Sequence, residues 1–342
     1  MRRASLAVVL LLGGLPAAAA SQDIEAVAAI RGVPLPPGYY ARVADDPDFF
    51  EFPNVWRGRR PAAAPGADPV SGVFPLIVIP ALFADSDPPM FSPADIQRTL
   101  FDGPAPSGTA TEFYWEASGG LLTVSGVTTP WVRTSITMAE VVGTSAGIGT
   151  DSRVAEYLAE ALALADGDVD FALFDNDGPD GIPNSGDDDG FVDAVTFEFH
   201  EVSASCGGPA IWPHRSSLAN WTGTPYTTGE TRPDGSPILV NGYIIQGVTD
   251  CSGTVLQTAN VISHEFGHVL GLPDLYHPID GIQPESRRWV LGCWALMAAG
   301  TWGCDDPFTR TEAFGPTHFS PWSKDRLGWI DWIEVGDVLH QE

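Results

Sequence analysis

Basic residues are scarce in this sequence. Its 342 residues include 17 Lys+Arg against 44 Asp+Glu, which gives a formal net charge of −27 at pH 7, and Lys324 is the single lysine. A nucleic-acid-binding protein needs a basic face that neutralises phosphates, and electrostatic attachment to an anionic membrane needs clustered Lys and Arg. The composition argues against both classes, so no nucleic-acid partner is expected. With 44% hydrophobic residues, the chain still has ample material for a buried core.

Long hydrophobic runs are also missing. The basic start, Met1 to Arg3, is followed by an apolar run from Ala4 to Leu15 and by small residues that end at Ala20. The run is shorter than the roughly 20 residues that cross a bilayer. Basic, apolar and small residues in this order are typical of a secretory signal peptide. We therefore predict a signal peptide over residues 1–20, a secreted extracellular protein and no membrane insertion.

The N-terminal half contains no cysteine. The four cysteines are Cys206, Cys251, Cys293 and Cys304, and an even number in an exported protein favours two disulfides, with three possible pairings. We favour Cys206–Cys251 and Cys293–Cys304, because the second pair brackets a short segment. A zinc site of four cysteines is less consistent with the sequence, because no C-x-x-C pair occurs.

The region that follows the signal peptide differs from the rest of the chain. Residues 21–70 are rich in Pro and Ala and carry a basic cluster at Arg57, Arg59 and Arg60. This composition is typical of an N-terminal arm or a pro-segment with a processing site, and a plain linker fits it equally well. Residues 71–342 have a globular pattern and form the predicted main domain.

Strand and helix patterns alternate in the globular region. Short apolar or β-branched runs predict buried strands at 76–79, 194–199 and 238–245. Apolar residues at helical spacing follow Asp151, which we predict to cap a helix that contains Val154, Leu158 and Leu162. Mixed strands and helices with long loops place the fold in the α/β or α+β class.

The segment with the clearest chemistry is His264-Glu265-Phe-Gly-His268. An apolar lead-in at 255–262 suggests that it lies on a helix, where residues i and i+4 share one face and both imidazoles can bind one Zn²⁺. Glu265 then lies beside the metal, where it can take a proton from the bound water without being a ligand. The spacing predicts a zinc site with Glu265 as the catalytic base.

The residues after this motif add to the zinc prediction. Gly271 is well placed to end the helix, and Asp274 follows where the returning chain could supply a third zinc ligand. His277 and Glu285 are alternatives for that ligand; Glu285 would complete a thermolysin-like arrangement. Met297 lies downstream in an apolar run, where a methionine usually fills a core, and we predict a structural role for it.

Several segments together resemble the immune inhibitor A-type secreted bacterial zinc metallopeptidases, which are metzincin-like. The motif through Tyr276 resembles their active-site segment, and residues 294–302 resemble their Met-turn, with Met297 as its methionine. Residues 321–329 and 108–118 also fit, so the resemblance extends over about 72–333. It implies a metzincin-like domain with a mixed twisted sheet, an active-site helix and an irregular lower subdomain. Many metzincins have a histidine where this chain has Asp274.

An acidic segment predicts a second kind of metal site. Residues 166–193 contain ten aspartates and no Lys or Arg. Aspartates at alternate positions with intervening glycines let a tight loop turn several oxygens toward one Ca²⁺, which takes six to eight oxygen ligands. A solvated acidic loop is the alternative, and the spacing does not complete an EF-hand. We predict one or two structural Ca²⁺ ions bound by Asp175, Asp177, Asp187, Asp189 and Asp193.

These features lead to one preferred function and two alternatives. We predict a secreted zinc-dependent endopeptidase with one catalytic zinc ion and with proteins or peptides as substrates. The first alternative is a non-catalytic, calcium-stabilised exported binding or surface protein that keeps the peptidase fold. The second is a zinc hydrolase that acts on something other than protein. Digestion of casein with and without a zinc chelator separates the three.

Overall fold

The protein is described from a computed structural model that covers residues 36–50, 69–178, 180–273, 275, 291–302 and 315–331. The predicted signal peptide lies outside these ranges. So do several residues of the predicted site and disulfide, namely Asp274, His277, Glu285 and Cys304.

A mixed and mostly parallel sheet forms the centre of the fold. Its strands are β1 (Gly72–Leu82), β2 (Leu122–Thr128), β3 (Val132–Arg133), β4 (Val195–Phe199), β5 (His214–Ser217) and β8 (Gly242–Gly247). Their order is β2-β1-β4-β8-β5, and the short β3 pairs with β1 beyond the end of β2. All pairs are parallel except β5 with β8, so β5 is an antiparallel edge strand. The mixed α/β class predicted from the sequence is confirmed.

The sheet separates two hydrophobic cores. Because successive side chains of a strand point to opposite faces, β1 contributes Phe74, Leu76 and Val78 to one core and Ile77, Ile79 and Ala81 to the other. Strand β4 is buried along its whole length, as expected for a central strand covered on both faces. The predicted run 76–79 therefore lies within a strand of eleven residues.

Helices cover both faces of the sheet. They are α1 (Pro37–Asp45), α2 (Pro93–Gln97, continued by a π-helical turn over Arg98–Asp102), α3 (Ala110–Ala117), α4 (Met138–Val142), α5 (Val154–Ala165), α6 (Leu218–Thr222), α7 (Asn260–Val269) and α8 (Pro321–Arg326). The helix predicted after Asp151 is α5, and its buried face includes Val154, Leu158 and Leu162.

The prediction that Asp151 caps α5 is wrong. Its carboxylate instead accepts a hydrogen bond from the backbone N–H of Thr144 at 2.8 Å. The N–H of Val154, the first residue of the helix, donates to the Ser152 hydroxyl oxygen at 3.1 Å. The tight turn at Gly143, whose φ is +57°, brings Thr144 within reach of Asp151 and explains the difference.

The segment 238–245, predicted as one strand, forms two. Strands β6 (Tyr226–Thr231) and β7 (Pro237–Val240) make a separate antiparallel hairpin, and β8 begins after Asn241 in the main sheet. Asn241 accepts hydrogen bonds at the start of α6, from Leu218 N to its carbonyl at 2.9 Å and from Ala219 N to its side-chain oxygen at 3.0 Å. The prediction of one strand is therefore wrong, because Asn241 accepts hydrogen bonds from the start of α6 and interrupts the strand.

Residues 36–50 pack against the main domain. Tyr39, Phe49 and Phe50 are buried and form a third hydrophobic cluster with Ile148 and Trp212. In addition, the Asn220 amide donates a hydrogen bond to the Phe49 carbonyl at 2.9 Å, and the Arg42 guanidinium donates one to Gly149 O at 3.1 Å. This part of the N-terminal arm is thus an ordered helix and turn docked beside β5.

The disulfide predicted between Cys206 and Cys251 is present, with a Cα–Cα distance of 5.1 Å. Cys293 is also disulfide-bonded, while its predicted partner Cys304 lies outside the described residues. Within the described residues, no helix is both long and apolar enough to cross a membrane.

Candidate metal centre

Helix α7 carries the His-Glu-His motif on a buried scaffold. Phe266 packs edge-on against Phe74 of β1 at 4.5 Å and against Tyr114 of α3 at 4.9 Å between ring centroids. The Tyr114 hydroxyl also donates a hydrogen bond to Ser263 O at 2.6 Å. These contacts fix the helix against the sheet, and its opposite face presents the two histidines.

A glycine turn ends α7 as the sequence predicts. Gly271 has a φ of +82°, a left-handed conformation that glycine adopts without a Cβ clash. Its N–H donates to His268 O at 2.8 Å, and the N–H of Leu272 donates to Gly267 O at 3.0 Å. These two bonds make a Schellman-type end, which turns the Leu272 carbonyl back toward His268.

Both imidazoles are held through their Nδ1 atoms. His264 Nδ1 lies 2.7 Å from Leu296 O, and His268 Nδ1 lies 2.7 Å from Leu272 O. A carbonyl oxygen can only accept, so each Nδ1 must carry the hydrogen, and each neutral ring keeps its lone pair on Nε2. The two Nε2 atoms are 3.2 Å apart, and both side chains are buried.

This geometry fits a zinc ion. Two nitrogen ligands at 2.0–2.1 Å from a tetrahedral Zn²⁺ are about 3.3 Å apart, close to the 3.2 Å between the Nε2 atoms of His264 and His268. The Nδ1–H to carbonyl bonds are also the outer contacts that orient zinc-binding histidines in proteins.

Glu265 lies next to the two histidines and is buried, with 7% of its surface exposed. Its Oε2 atom is buried and has no hydrogen-bond partner among the described residues. Burial of a carboxylate oxygen without a hydrogen-bond donor costs free energy. In native proteins such an atom is typically explained by a bound ligand, ion or water molecule. Glu265 is therefore available to act on a molecule that enters the site.

Met297 lies beneath the same helix. It is fully buried, and a Cβ built on Gly267 would lie 2.5 Å from its sulfur atom. Gly267, between Glu265 and His268, thus lets the methionine approach the helix backbone. The preceding residue, Leu296, supplies the carbonyl that holds His264. The packing agrees with the structural role predicted for Met297.

The other described histidines lie away from this pair. The ring of His214 is buried between Trp212 O at 2.7 Å and the Tyr243 hydroxyl at 2.9 Å, and burial lowers its pKa to about 4. His318 is half exposed and lies 3.3 Å from Glu116, and His200 packs against Trp131. None of these three histidines therefore belongs to the His264–His268 pair.

The acidic segment brings three predicted calcium ligands together. Oxygens of Asp175, Asp177 and Asp193 all lie within 4.8 Å of one another. Asp175 is fully buried, and its Oδ2 atom has no hydrogen-bond partner among the described residues. Burial, with the nearby charges of Asp188 and Asp189, raises the pKa of Asp175 to about 7. Burial and the charge of Asp189 raise the pKa of Asp177 to about 6.

The remaining aspartates of the loop have different surroundings. Burial raises the pKa of Asp189. The pKa of Asp193 is raised chiefly by burial and by the charge of Asp177, and the charge of Asp189 adds to this effect. Asp187 is exposed and hydrogen-bonds to Ser185, which lowers its pKa. Asp188 accepts hydrogen bonds from Gly178 N at 2.6 Å and Ser185 N at 2.9 Å. Asp187 is thus not brought to the cluster, and Asp188 fixes the loop.

Sequence reasoning did not identify Thr301. This residue lies in a 3₁₀ turn, Ala299–Trp302, and its hydroxyl oxygen is 2.8 Å from His264 Nδ1. The two residues are 37 positions apart in the sequence, and no spacing rule links them. The Met-turn-like segment was the only sequence signal near it.

A helix with this histidine–glutamate pattern, packed on a mixed sheet, is the arrangement of a metallopeptidase. The chain matches the family described as "Immune inhibitor A peptidase M6, catalytic domain" over residues 92–332. This match covers more than half of the chain, so the protein belongs to the immune inhibitor A peptidase M6 family.

Two kinds of relative are similar to this chain. The pre-pro-metalloprotease PrtV of Vibrio cholerae serotype O1 (strain ATCC 39315 / El Tor Inaba N16961) is 29% identical over 260 residues, which are 69% of this chain and 26% of PrtV. Immune inhibitor A of Bacillus thuringiensis subsp. alesti is 29% identical over 252 residues, which are 66% of this chain and 34% of the relative. The chain spans between about a quarter and a third of the length of these curated relatives.

Proposed function

We propose that this protein is a zinc-dependent endopeptidase that hydrolyses protein or peptide substrates. The observation that carries the proposal is the pair of Nε2 atoms of His264 and His268, 3.2 Å apart with both Nδ1 atoms bonded to carbonyls. Membership of a peptidase family and the buried carboxylate of Glu265 support it. We propose Asp274 as the third ligand, from the sequence alone.

The proposed mechanism assigns one task to each residue. When bound, zinc supplies a Lewis acid that polarises the scissile carbonyl and lowers the pKa of water. His264 and His268 would hold the ion through Nε2. Glu265 takes the proton from the attacking water and then delivers it to the departing amine, as a general base and then a general acid.

The direct test of this mechanism is Glu265→Gln. We expect the variant to bind zinc as the wild-type protein does and to lose about 10²–10⁴-fold in casein hydrolysis, the usual contribution of a general base. The matched control is Glu160→Gln, because Glu160 lies on α5, where its carboxylate accepts from Ser135 N at 2.8 Å. A zinc chelator should abolish the activity of both the wild type and the control.

Two outcomes would contradict the endopeptidase proposal. Undiminished casein hydrolysis by the Glu265→Gln variant would remove Glu265 from the mechanism. A folded, zinc-loaded wild-type protein that hydrolyses neither casein nor gelatin would favour the non-catalytic binding protein or a hydrolase with another substrate.

We also propose that Asp175, Asp177 and Asp193 bind a structural Ca²⁺ ion, with Asp189 as a further ligand from the sequence. Two observations support this site: Asp175 Oδ2 is buried and has no hydrogen-bond partner in the part of the chain that the structure describes, and oxygens of the three residues lie within 4.8 Å of one another. Three carboxylates this close repel one another, and a divalent cation with a preference for oxygen removes that repulsion.

The calcium proposal is tested by thermal unfolding with Ca²⁺ and with EGTA. Wild-type protein should unfold at a lower temperature in EGTA and recover when Ca²⁺ is added, because an ion that binds only the folded state stabilises it. The Asp175→Asn variant should lose most of this response, whereas Asp187→Asn, at an exposed position outside the group, should keep it. An equal response in all three proteins would disprove the site.

Finally, we propose that the protein is exported, as the N-terminal sequence predicts. The Cys206–Cys251 disulfide supports this proposal, because stable disulfides are characteristic of oxidising compartments. Expression with the native N-terminus, followed by mass measurement of protein in the medium, should give a chain that lacks residues 1–20. Retention of the protein in the reducing cytoplasm would contradict it.

A further inference from the structure

The hydroxyl of Thr301 closes a triangle of hydrogen bonds behind the metal centre. Its Oγ1 atom lies 2.8 Å from His264 Nδ1 and 3.0 Å from Leu296 O, and Leu296 O itself lies 2.7 Å from the same Nδ1. Thr301 is 6% exposed, so water competes little for these bonds. The three atoms therefore form one buried unit.

The direction of each bond follows from the available hydrogens. Leu296 O has none, so it accepts from His264 Nδ1 and from the Thr301 hydroxyl. Once the hydroxyl hydrogen points at the carbonyl, a lone pair of Thr301 Oγ1 faces Nδ1 and shares its hydrogen. This arrangement favours the tautomer with the hydrogen on Nδ1 and the lone pair on Nε2.

The local fold brings Thr301 back over Leu296. Gly300 N donates to Ala295 O at 3.0 Å, and a Cβ on Gly300 would clash with that same carbonyl and with Thr317. Only a residue without a side chain permits this approach, and it places the next residue, Thr301, beside His264. The turn is thus built in a way that delivers a hydroxyl to the back of the imidazole.

We propose that Thr301 is a positioning residue that orients His264 for zinc binding. Its hydroxyl oxygen and the Leu296 carbonyl oxygen both accept the hydrogen on His264 Nδ1. The inference rests on the proposed zinc function. Thr301 does not touch the ion or the substrate and acts through the ring of His264. Outer contacts of this kind are typically worth about 10–100-fold in metal affinity or activity.

The test measures zinc affinity rather than activity, by competition with a chelator on the full chain. Thr301→Val keeps the shape and removes the hydroxyl, and Thr301→Ser restores it. Thr134→Val is the matched control, because Thr134 is also buried and its hydroxyl donates to a carbonyl, Leu82 O, at 3.1 Å, away from α7. Thr301→Ala gives the same readout if valine prevents folding.

We expect the Thr301→Val variant to bind zinc about 10–100-fold more weakly than wild type, with Thr301→Ser close to wild type and Thr134→Val unchanged. Equal zinc affinity in wild type and Thr301→Val would overturn the inference and leave the zinc proposal intact. An equal loss in Thr134→Val would show a general stability effect and would overturn it too. Failure of the wild type to bind zinc would overturn both.

Discussion

Gly267 shows how one residue links the helix to the chain beneath it. In a helix interior, Gly→Ala normally stabilises by about 0.5–1 kcal/mol, because glycine has more freedom to lose on folding. Here the new Cβ would lie 2.5 Å from Met297 Sδ and 3.1 Å from its Cε. Since Met297 is fully buried, it cannot move away without disturbing its neighbours.

We therefore predict that Gly267→Ala lowers the free energy of unfolding by about 1–3 kcal/mol, the usual cost of overpacking. In a Met297→Ala background the same change should be neutral or stabilising, because the clashing atoms are gone. Urea-induced unfolding of the four proteins gives the coupling between the two positions. An identical cost in both backgrounds would mean that the helix and Met297 are not in contact.

His214 gives the fold a pH dependence of its own. Burial lowers its pKa from 6.5 to about 4, so between these values the unfolded chain binds a proton that the folded protein does not. The stability that the neutral His214 contributes to the folded protein is complete above pH 6.5 and is lost as the pH falls toward 4. The slope approaches about 1.4 kcal/mol per pH unit in the middle of this range.

The His214→Gln variant should lack this component of the acid sensitivity. We predict that the difference in unfolding free energy between wild type and variant shrinks or changes sign as the pH falls from about 6.5 to about 4. Denaturant unfolding at a series of pH values measures it, and the acidic loop, common to both proteins, cancels in the difference. A difference that stays constant with pH would show that His214 titrates normally in the folded protein.

At the scale of elements, residues 36–50 and the body of the domain form one packed unit. The Phe50 ring is 2% exposed and stacks on Tyr39 at 5.5 Å between centroids. The Arg42 guanidinium lies over the Phe49 ring at 4.8 Å and over the Trp221 ring at 4.6 Å. Burial of these aromatic rings supplies the main force that holds the segment in place.

We predict that Phe50→Ala lowers the free energy of unfolding by up to about 3–5 kcal/mol, the range for loss of a buried phenylalanine. The control is Tyr40→Ala in α1 of the same segment, where the ring is 49% exposed and the cost should stay below about 1 kcal/mol. Urea unfolding of the full chain compares them. Equal stability of the two variants would contradict the docking of this segment.

The sequence was informative where the signal is local. The spacing of His264 and His268 fixes both on one face of a helix, and Gly271 marks its end, because helical geometry alone determines these positions. Alternating aspartates and glycines in the acidic segment likewise indicated where oxygens converge. The sequence could not show that Asp175 is buried and Asp187 exposed, because burial in that loop depends on contacts with β1, such as the hydrogen bond from Asn176 to Val73 O.

The sequence was less informative where distant segments meet. The partners of the His264 imidazole, Leu296 O and Thr301, belong to a turn more than 30 residues downstream. Docking of Phe49 and Phe50 could not be inferred, because aromatic residues in a Pro- and Ala-rich segment show no helical or strand periodicity. The break at Asn241 also depends on a partner, α6, that periodicity alone does not identify.

For the whole molecule, the net charge of −27 is not evenly distributed. Ten aspartates fall in residues 166–193, and three of them converge within 4.8 Å, while the buried histidine pair lies on a different segment. The sheet joins these two regions: the acidic loop hydrogen-bonds to the start of β1, and Phe74 of the same strand packs against α7. Part of the acidity is thus concentrated in one loop, at the place where we propose a calcium site.

The most direct test of the proposed zinc centre is X-ray diffraction from crystals of the purified protein, recorded on both sides of the zinc absorption edge. We predict one anomalous peak at about 2.0–2.1 Å from the Nε2 atoms of both His264 and His268. The peak should vanish after treatment with a zinc chelator and return when zinc is added. A zinc-supplied crystal in which the two Nε2 atoms face each other without a metal peak would contradict the proposal.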